Sequence, residues 1–385
     1  MKSPIFFDTT LRDGEQAPGN AMSREQKIDI FRHIEKTGID YIEAGFPSSS
    51  PADFTVTRYL ARHSGRARIC AFAIATQQDI STAVDALDGA EGGQIQILLT
   101  GSEIHAEHKR RLPLAALLEE TEQAVTFARK KGITDVSVAL EDATRGSHEF
   151  LRPMIECAVA AGARTLVIPD TVGAMIPKEY AALITAIRSW VGENIAITAH
   201  CHNDLGLAAA NSIAALEAGA DGMQTTFCGI GERAGNTAIE EIYAILHYKY
   251  PQIPLHLDPR AIVSACHHIE KIVGLKIAHH KPIIGRYVFA TAAGLHINGL
   301  TKKNITYEFV SPELFGRESE LIIGRVSGRT AVRNKLEKLS IPYDDEIVNR
   351  LYEEITAAET RLDFNDDDTF RALVARLLAP RSLSA

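Results

Sequence analysis

The 385-residue chain is 45% hydrophobic and 23% charged, with a formal net charge of −8. This is the composition of an ordinary globular protein, long enough for a domain of about 250 residues and something smaller. An acidic balance without a long Lys/Arg run gives no attraction to nucleic acid or to an anionic membrane, so neither is expected as a partner. No apolar stretch reaches membrane-spanning length, and the first residues lack the apolar core of a secretory signal; a cytoplasmic location is expected. The five cysteines, Cys70, Cys157, Cys201, Cys228 and Cys266, show no Cys-x-x-Cys spacing, which argues for reduced thiols over disulfides or a thiolate zinc site.

Short β-branched or aliphatic runs alternate with longer amphipathic segments, the pattern of βα units. Strands are predicted over residues 5–7, 41–44, 68–73, 94–99, 135–139, 165–168, 195–198 and 222–226, with helices over 24–37, 114–131 and 205–218 among the connections. Eight strands with eight crossovers close most naturally into a (β/α)8 barrel. The pattern fades near Tyr250. A helix is expected around 261–273, a loop-like stretch from Lys281, and a helical tail from Thr330, where Asn365-Asp-Asp-Asp368 reads as a helix cap or solvated turn. Residues 1–280 are thus expected to form the barrel and 281–385 a mainly helical lid or dimerisation appendage, with no regulatory domain.

Polar or special residues stand at each strand end that a barrel places on its catalytic face: Arg12-Asp13, Glu43, Thr100, Glu141-Asp142, Asp170-Thr171, His200 with His202, and the loop Gly231-Glu-Arg-Ala-Gly-Asn236. Asp13 follows one strand and the histidines another, so they can share a metal only if both strands end on one face. Histidines at i and i+2 project the same way along a strand, whereas Cys201 between them projects away.

Taken together, segments 8–16, 43–47, 141–145, 169–173, 200–206 and 231–236 resemble the catalytic barrel of the 2-isopropylmalate and homocitrate synthase family, in order over nearly the whole chain. The opening Asp8-Thr-Thr-Leu-Arg-Asp-Gly14 is shared with metal-dependent aldolases and lyases of the same superfamily. The Gly231–Asn236 loop favours the acyl-condensing branch. The resemblance implies an acyltransferase that condenses acetyl-CoA with a 2-oxo acid and hydrolyses the thioester to give a 2-substituted malate. It also implies a divalent cation, zinc, manganese or magnesium, on Asp13, His200, His202 and Asn236. Arg12 would add positive charge at the ketone oxygen, Thr171 would bind the substrate carboxylate, and Glu141 would serve in acid/base work. The segment Gly294-Leu-His-Ile-Asn-Gly299 and Tyr307 resemble the family's appendage, in which a His and a Tyr, here His296 and Tyr307, enter the neighbouring active site of a homodimer.

The chain departs from the family at Ala292 and Asn298, neutral where acidic residues are usual, and at Arg286, where an acidic or amide residue is usual. These changes open a second reading, a homocitrate, citramalate or phosphonomethylmalate-type synthase that takes an anionic 2-oxo acid. A metal-dependent retro-aldol lyase on the same barrel is the alternative class.

Overall fold

The computed structural model describes residues 2–292, 299, 302–324, 327–358 and 363–378. Eight parallel strands, β1 Ile5–Asp8, β2 Tyr41–Gly45, β3 Arg68–Ile74, β4 Gln94–Thr100, β5 Asp135–Glu141, β6 Thr165–Asp170, β7 Ala196–Cys201 and β8 Gly222–Thr225, pair in sequence order, and β8 pairs with β1 to close the barrel. Each is followed by a helix: α1 Arg24–Glu35, α2 Pro51–His63, α3 Gln77–Ala86, α4 Leu114–Lys130, α5 His148–Ala161, α6 Pro177–Val191, α7 Ala208–Glu217 and α8 Ile239–Lys249. A ninth, α9 Pro259–Val273, lies against α1, where Gln26 donates to the Ile272 carbonyl.

Local chemistry starts these helices where the chain needs them. Ser23 opens α1 through a reciprocal capping box with Gln26, while Ser50, Thr76 and Ser147 each accept a backbone N–H in the first turn of α2, α3 and α5. Such caps satisfy amides that the helix itself leaves free. The expected strands are all present, but β4 to β7 run further than the apolar pattern does. Thr100 still pairs with Glu141, and Asp170 with Cys201, because ladder hydrogen bonds do not depend on side-chain polarity. The helix expected over 205–218 starts only at Ala208, after a turn in which the Gly206 N–H bonds Asn203 O and the Asn203 side chain accepts the Ala208 N–H.

Strand residues such as Phe6, Ile42, Ile69, Ile97, Val138 and Met223 are buried against the helices, whereas the barrel interior is partly polar. Its N-terminal end is floored by side chains. Arg68 donates to the Tyr41 hydroxyl (3.0 Å), Tyr41 and Gln94 both donate to Asp135 (3.1 and 3.0 Å), and Phe7 stacks on Tyr41 with centroids 5.5 Å apart.

Two compact units divide the chain, Met1–Ile277 and Ala278–Ala385. The second contains a parallel pair of two-residue strands, β9 Ala290–Thr291 and β10 Glu320–Leu321, and the helices α10 Arg329–Lys338, α11 Asp345–Ala357 and α12 Asp367–Leu378. Its own core gathers Ile323, Val332, Leu336, Val348, Leu351, Phe370 and Val374. Asp366 caps α12 by accepting the Thr369 N–H at 2.8 Å, as the acidic run suggests.

Candidate metal centre and active site

The C-terminal ends of the barrel strands surround a cavity of about 350 Å³ whose lining includes Arg12, Asp13, Glu141, Thr171, His200 and His202. Arg12 and Asp13 reach it through a tight turn in which Thr9 O accepts the N–H groups of Arg12, Asp13 and Gly14. Beneath that turn the buried Lys27 bridges Glu15 and Asp53 at 2.5 and 2.6 Å, tying the loop after β1 to α1 and α2.

Asp13, His200 and His202 are all buried and converge. The two Nε2 atoms stand 3.2 Å apart, and Asp13 Oδ2 lies 3.7 and 4.0 Å from them. Donors sharing one ion at about 2.1 Å stand roughly 3–3.5 Å apart, so small shifts seat a cation among them. Asn236 comes from the loop after β8. Its Nδ2 donates to Asp13 Oδ1 at 2.8 Å, and its Oδ1 is buried without a hydrogen-bond partner. A Cβ on Gly231 would lie 2.0 Å from Asn236 Nδ2 and 2.8 Å from Asp13 Oδ1, so this close approach requires glycine.

Electrostatics suit the same purpose. Burial, reinforced by the neighbouring His202, lowers His200 to about 3, and burial likewise lowers His202. Both imidazoles therefore offer lone pairs. Burial opposes charge on Asp13, but the Arg12 guanidinium overcomes it, helped by the hydrogen bond from the Asn236 amide, and holds the carboxyl well below the usual range. One anion, two neutral imidazoles and one carbonyl oxygen form a mixed N/O set that fits a divalent cation. The described residues contain one other carboxylate–histidine group, Asp29, His33 and His268; it is only partly buried, and its imidazole rings are stacked 3.7 Å apart.

Arg12 lines the cavity and is ion-paired at its wall. It faces the cavity over the Phe72 ring (4.9 Å) while its Nε donates to Glu43 at 2.6 Å and its Nη1 to Asp13 at 2.9 Å. Thr171 Oγ1 accepts the N–H of Asp142 at 2.9 Å, which leaves its hydroxyl proton for a ligand. Glu141 ends β5 in an ion pair with Lys109 (2.5 Å) and lies 3.4 Å from His105 Nδ1. His105 and Lys109 belong to a π-helical turn, His105–Arg110, after β4. Tyr307 lies in the second unit, half exposed, with its ring against Gly299. His296 lies outside the described residues. Cys201 is buried, its thiol pushed up to about 12 by desolvation, with Ser212 of α7 and Tyr180 of α6 as neighbours; it does project away from the histidines.

Two neighbours of the site, and the part played by a third, escape sequence reasoning. Gln96 and Gln224 lie inside the barrel under His200, with His200 Nδ1 2.8 Å from Gln224 Oε1. Arg233 fastens the loop after β8 to its neighbours, donating to Asp204 at 2.8 and 2.9 Å and to the Thr171 carbonyl at 2.6 Å. Its φ of 55° is a left-handed conformation that nothing in the residue type announces.

Residues 3–269 match the HMGL-like family model, and residues 283–362 match the homocitrate synthase post-HMGL domain-like model. A 2-isopropylmalate synthase from Geobacillus thermodenitrificans is 37% identical over 374 residues, covering 96% of this chain and 72% of that protein. One from Caulobacter vibrioides is 39% identical over 380 residues, covering 97% and 72%. Among solved structures, a hydroxymethylglutaryl-CoA lyase from Pseudomonas aeruginosa superposes with a TM-score of 0.60 at 21% identity, covering 71% of this chain and 94% of that one. The lyase likeness establishes the fold alone. Identity of 37–39% to synthases over nearly the whole of this chain, with a second domain matching in order behind the barrel, places it in the 2-isopropylmalate/homocitrate synthase family.

Proposed function

We propose that this enzyme condenses acetyl-CoA with a 2-oxo acid at the mouth of the barrel and hydrolyses the thioester, releasing CoA and a 2-substituted malate. The observation that carries the reading is the convergence of Asp13, His200 and His202 beside Arg12 in a cavity with apolar walls. When bound by these residues and Asn236, a divalent cation supplies Lewis acidity to the ketone.

The chain's own groups do the rest. Arg12 places fixed positive charge where the ketone oxygen becomes an alkoxide. The Thr171 hydroxyl donates to the substrate carboxylate. Loss of a methyl proton from acetyl-CoA gives the nucleophilic carbon, which forms the new C–C bond; protonation of the alkoxide and attack of water on the thioester complete the balance. By resemblance to the family, His296 takes the methyl proton and Tyr307 protonates or orients the alkoxide, both from the second subunit of a homodimer, while Glu141 holds protons near the acetyl group.

The lining favours a 2-oxo acid with an uncharged side chain. Phe46, Phe72, Leu98, Ala139 and Val167 supply an apolar wall. The two arginines of that lining are already engaged, Arg12 by Glu43 and Asp13 and Arg233 by Asp204. Arg286, the residue that suggests an anionic substrate, lies in the second unit over the Tyr287 ring at 5.5 Å. Screening 2-oxo acids with acetyl-CoA, following thiol release and product mass, tests the reading. 2-Oxoisovalerate is expected to outpace 2-oxoglutarate and oxaloacetate. Cleavage of a hydroxyacyl-CoA or hydroxy-oxo acid without thiol release from acetyl-CoA would point to the retro-aldol class instead.

A further inference from the structure

Below the metal centre a single file of hydrogen bonds crosses the barrel interior. Arg12 Nε donates to Glu43 Oε2 at 2.6 Å, Gln96 Nε2 donates to Glu43 Oε1 at 2.8 Å, Gln224 Nε2 donates to Gln96 Oε1 at 2.7 Å, and His200 Nδ1 stands 2.8 Å from Gln224 Oε1. These residues belong to the loop after β1 and to β2, β4, β8 and β7. Gln96, Gln224 and Glu43 are at most 2% exposed, so solvent does not substitute for any link.

The file has a direction. A carboxylate bound to a guanidinium can only accept, so the Gln96 amide must turn its nitrogen toward Glu43 and its oxygen toward Gln224. Gln224 must then present nitrogen to Gln96 and oxygen to His200. Only an N–H satisfies that oxygen, so the His200 proton sits on Nδ1 and the lone pair on Nε2, the atom that faces Asp13 and His202. One ion pair at the cavity wall thus sets the tautomer of an imidazole three hydrogen bonds further along the file.

We propose that Gln96 and Gln224 are positioning residues that hold His200 as its Nδ1–H tautomer, ready for a cation at Nε2. The inference rests on the metal reading above and adds to it two strand residues outside the ligand set, Gln224 touching His200 directly and Gln96 acting through Gln224. Outer partners of metal-bound histidines commonly act this way, and losing one costs about 10- to 100-fold in affinity.

Imidazole ¹⁵N spectra of the chelator-treated wild-type protein, with the His200 signals assigned by comparison with His200→Gln, report the tautomer directly. The expected result is protonated Nδ1 and bare Nε2. A proton on Nε2 of His200 overturns the proposal, and this arm needs no variant beyond the assignment. In Gln96→Leu, Gln224 is free to turn over, and in Gln224→Met the acceptor is gone. Both are expected to lose the Nδ1–H preference and to bind zinc about 10- to 100-fold more weakly by chelator competition, with unfolding midpoints checked separately. Unchanged tautomer and affinity in both would reduce the file to packing. Failure of the wild type to bind any divalent cation would instead defeat the metal reading, while the wild-type tautomer would still decide whether the file is directional.

Discussion

At the scale of single residues, Asp13 and His202 are expected to be indispensable for turnover, while the fold survives the loss of either. Each is a buried polar group facing the cavity, and its removal leaves the apolar core intact. Asp13→Ala and His202→Ala should retain the far-ultraviolet spectrum while losing thiol release and bound metal; full activity in either would exclude that residue from the ion's ligand set. Asp8 is a different case. Burial raises it to about 7 against an ordinary 3.8, opposed by a hydrogen bond from Thr10. Between about pH 4 and pH 7 the unfolded chain therefore ionises while the folded one retains the proton, so stability falls as pH rises and levels off above 7. Denaturant titrations from pH 4 to 7 should show wild type losing stability relative to Asp8→Asn, and parallel curves would mean that Asp8 ionises normally in the fold. Asp13, His200 and His202 were legible in the sequence because charged and imidazole groups follow apolar runs there. Gln96 and Gln224 were not, since a glutamine alternating with apolar residues reads as the solvent-facing side of a half-buried strand, and only barrel closure turns that face inward.

Among elements, the eight strands and the helices between them could be read from periodicity, while their ends could not. A hydrophobic run stops where side chains become polar, but the ladder continues through Thr100, Glu141 and Asp170, and of these Glu141 lines the cavity. The π-helical turn after β4 and the two-residue strands of the second unit carry no periodic signal at all. In the loop after β8, glycine is readable as a turn former, yet its function is contact. Gly231→Ala must push Asn236 away from Asp13, so zinc affinity is expected to drop by about 10- to 100-fold with the helices intact. Competition against a chromophoric chelator measures it, and wild-type affinity would show that the loop shifts without cost.

For the whole molecule, two compact units with separate cores make separable predictions. Leu351 is fully buried in the second core, so Leu351→Ala should destabilise that unit by about 2–5 kcal/mol. Hydrogen exchange should quicken in α11, while cation binding at the barrel, titrated calorimetrically, stays as in wild type; weakened binding would show the centre depends on the second core. If His296 serves the neighbouring subunit's site, mixing inactive Arg12→Ala and His296→Ala proteins under subunit exchange should recover activity, because one hybrid site then holds both intact residues. Proven mixed dimers without recovery would place a complete site in each chain.

The floor of Tyr41, Gln94 and Asp135 turns the barrel into a cul-de-sac with a single doorway. Traffic through one doorway is sequential: the reactant that belongs at depth has to pass before a bulkier one stands in the entrance. The 2-oxo acid is the small reactant and its proposed anchors, Arg12 and Thr171, line the cavity, whereas most of acetyl-CoA is too large to follow it. Initial-rate and product-inhibition kinetics should show the 2-oxo acid binding first and CoA leaving before the malate, and random addition would refute that order. A queue of this kind lets the enzyme withhold its thioester from water until an acceptor is already in place.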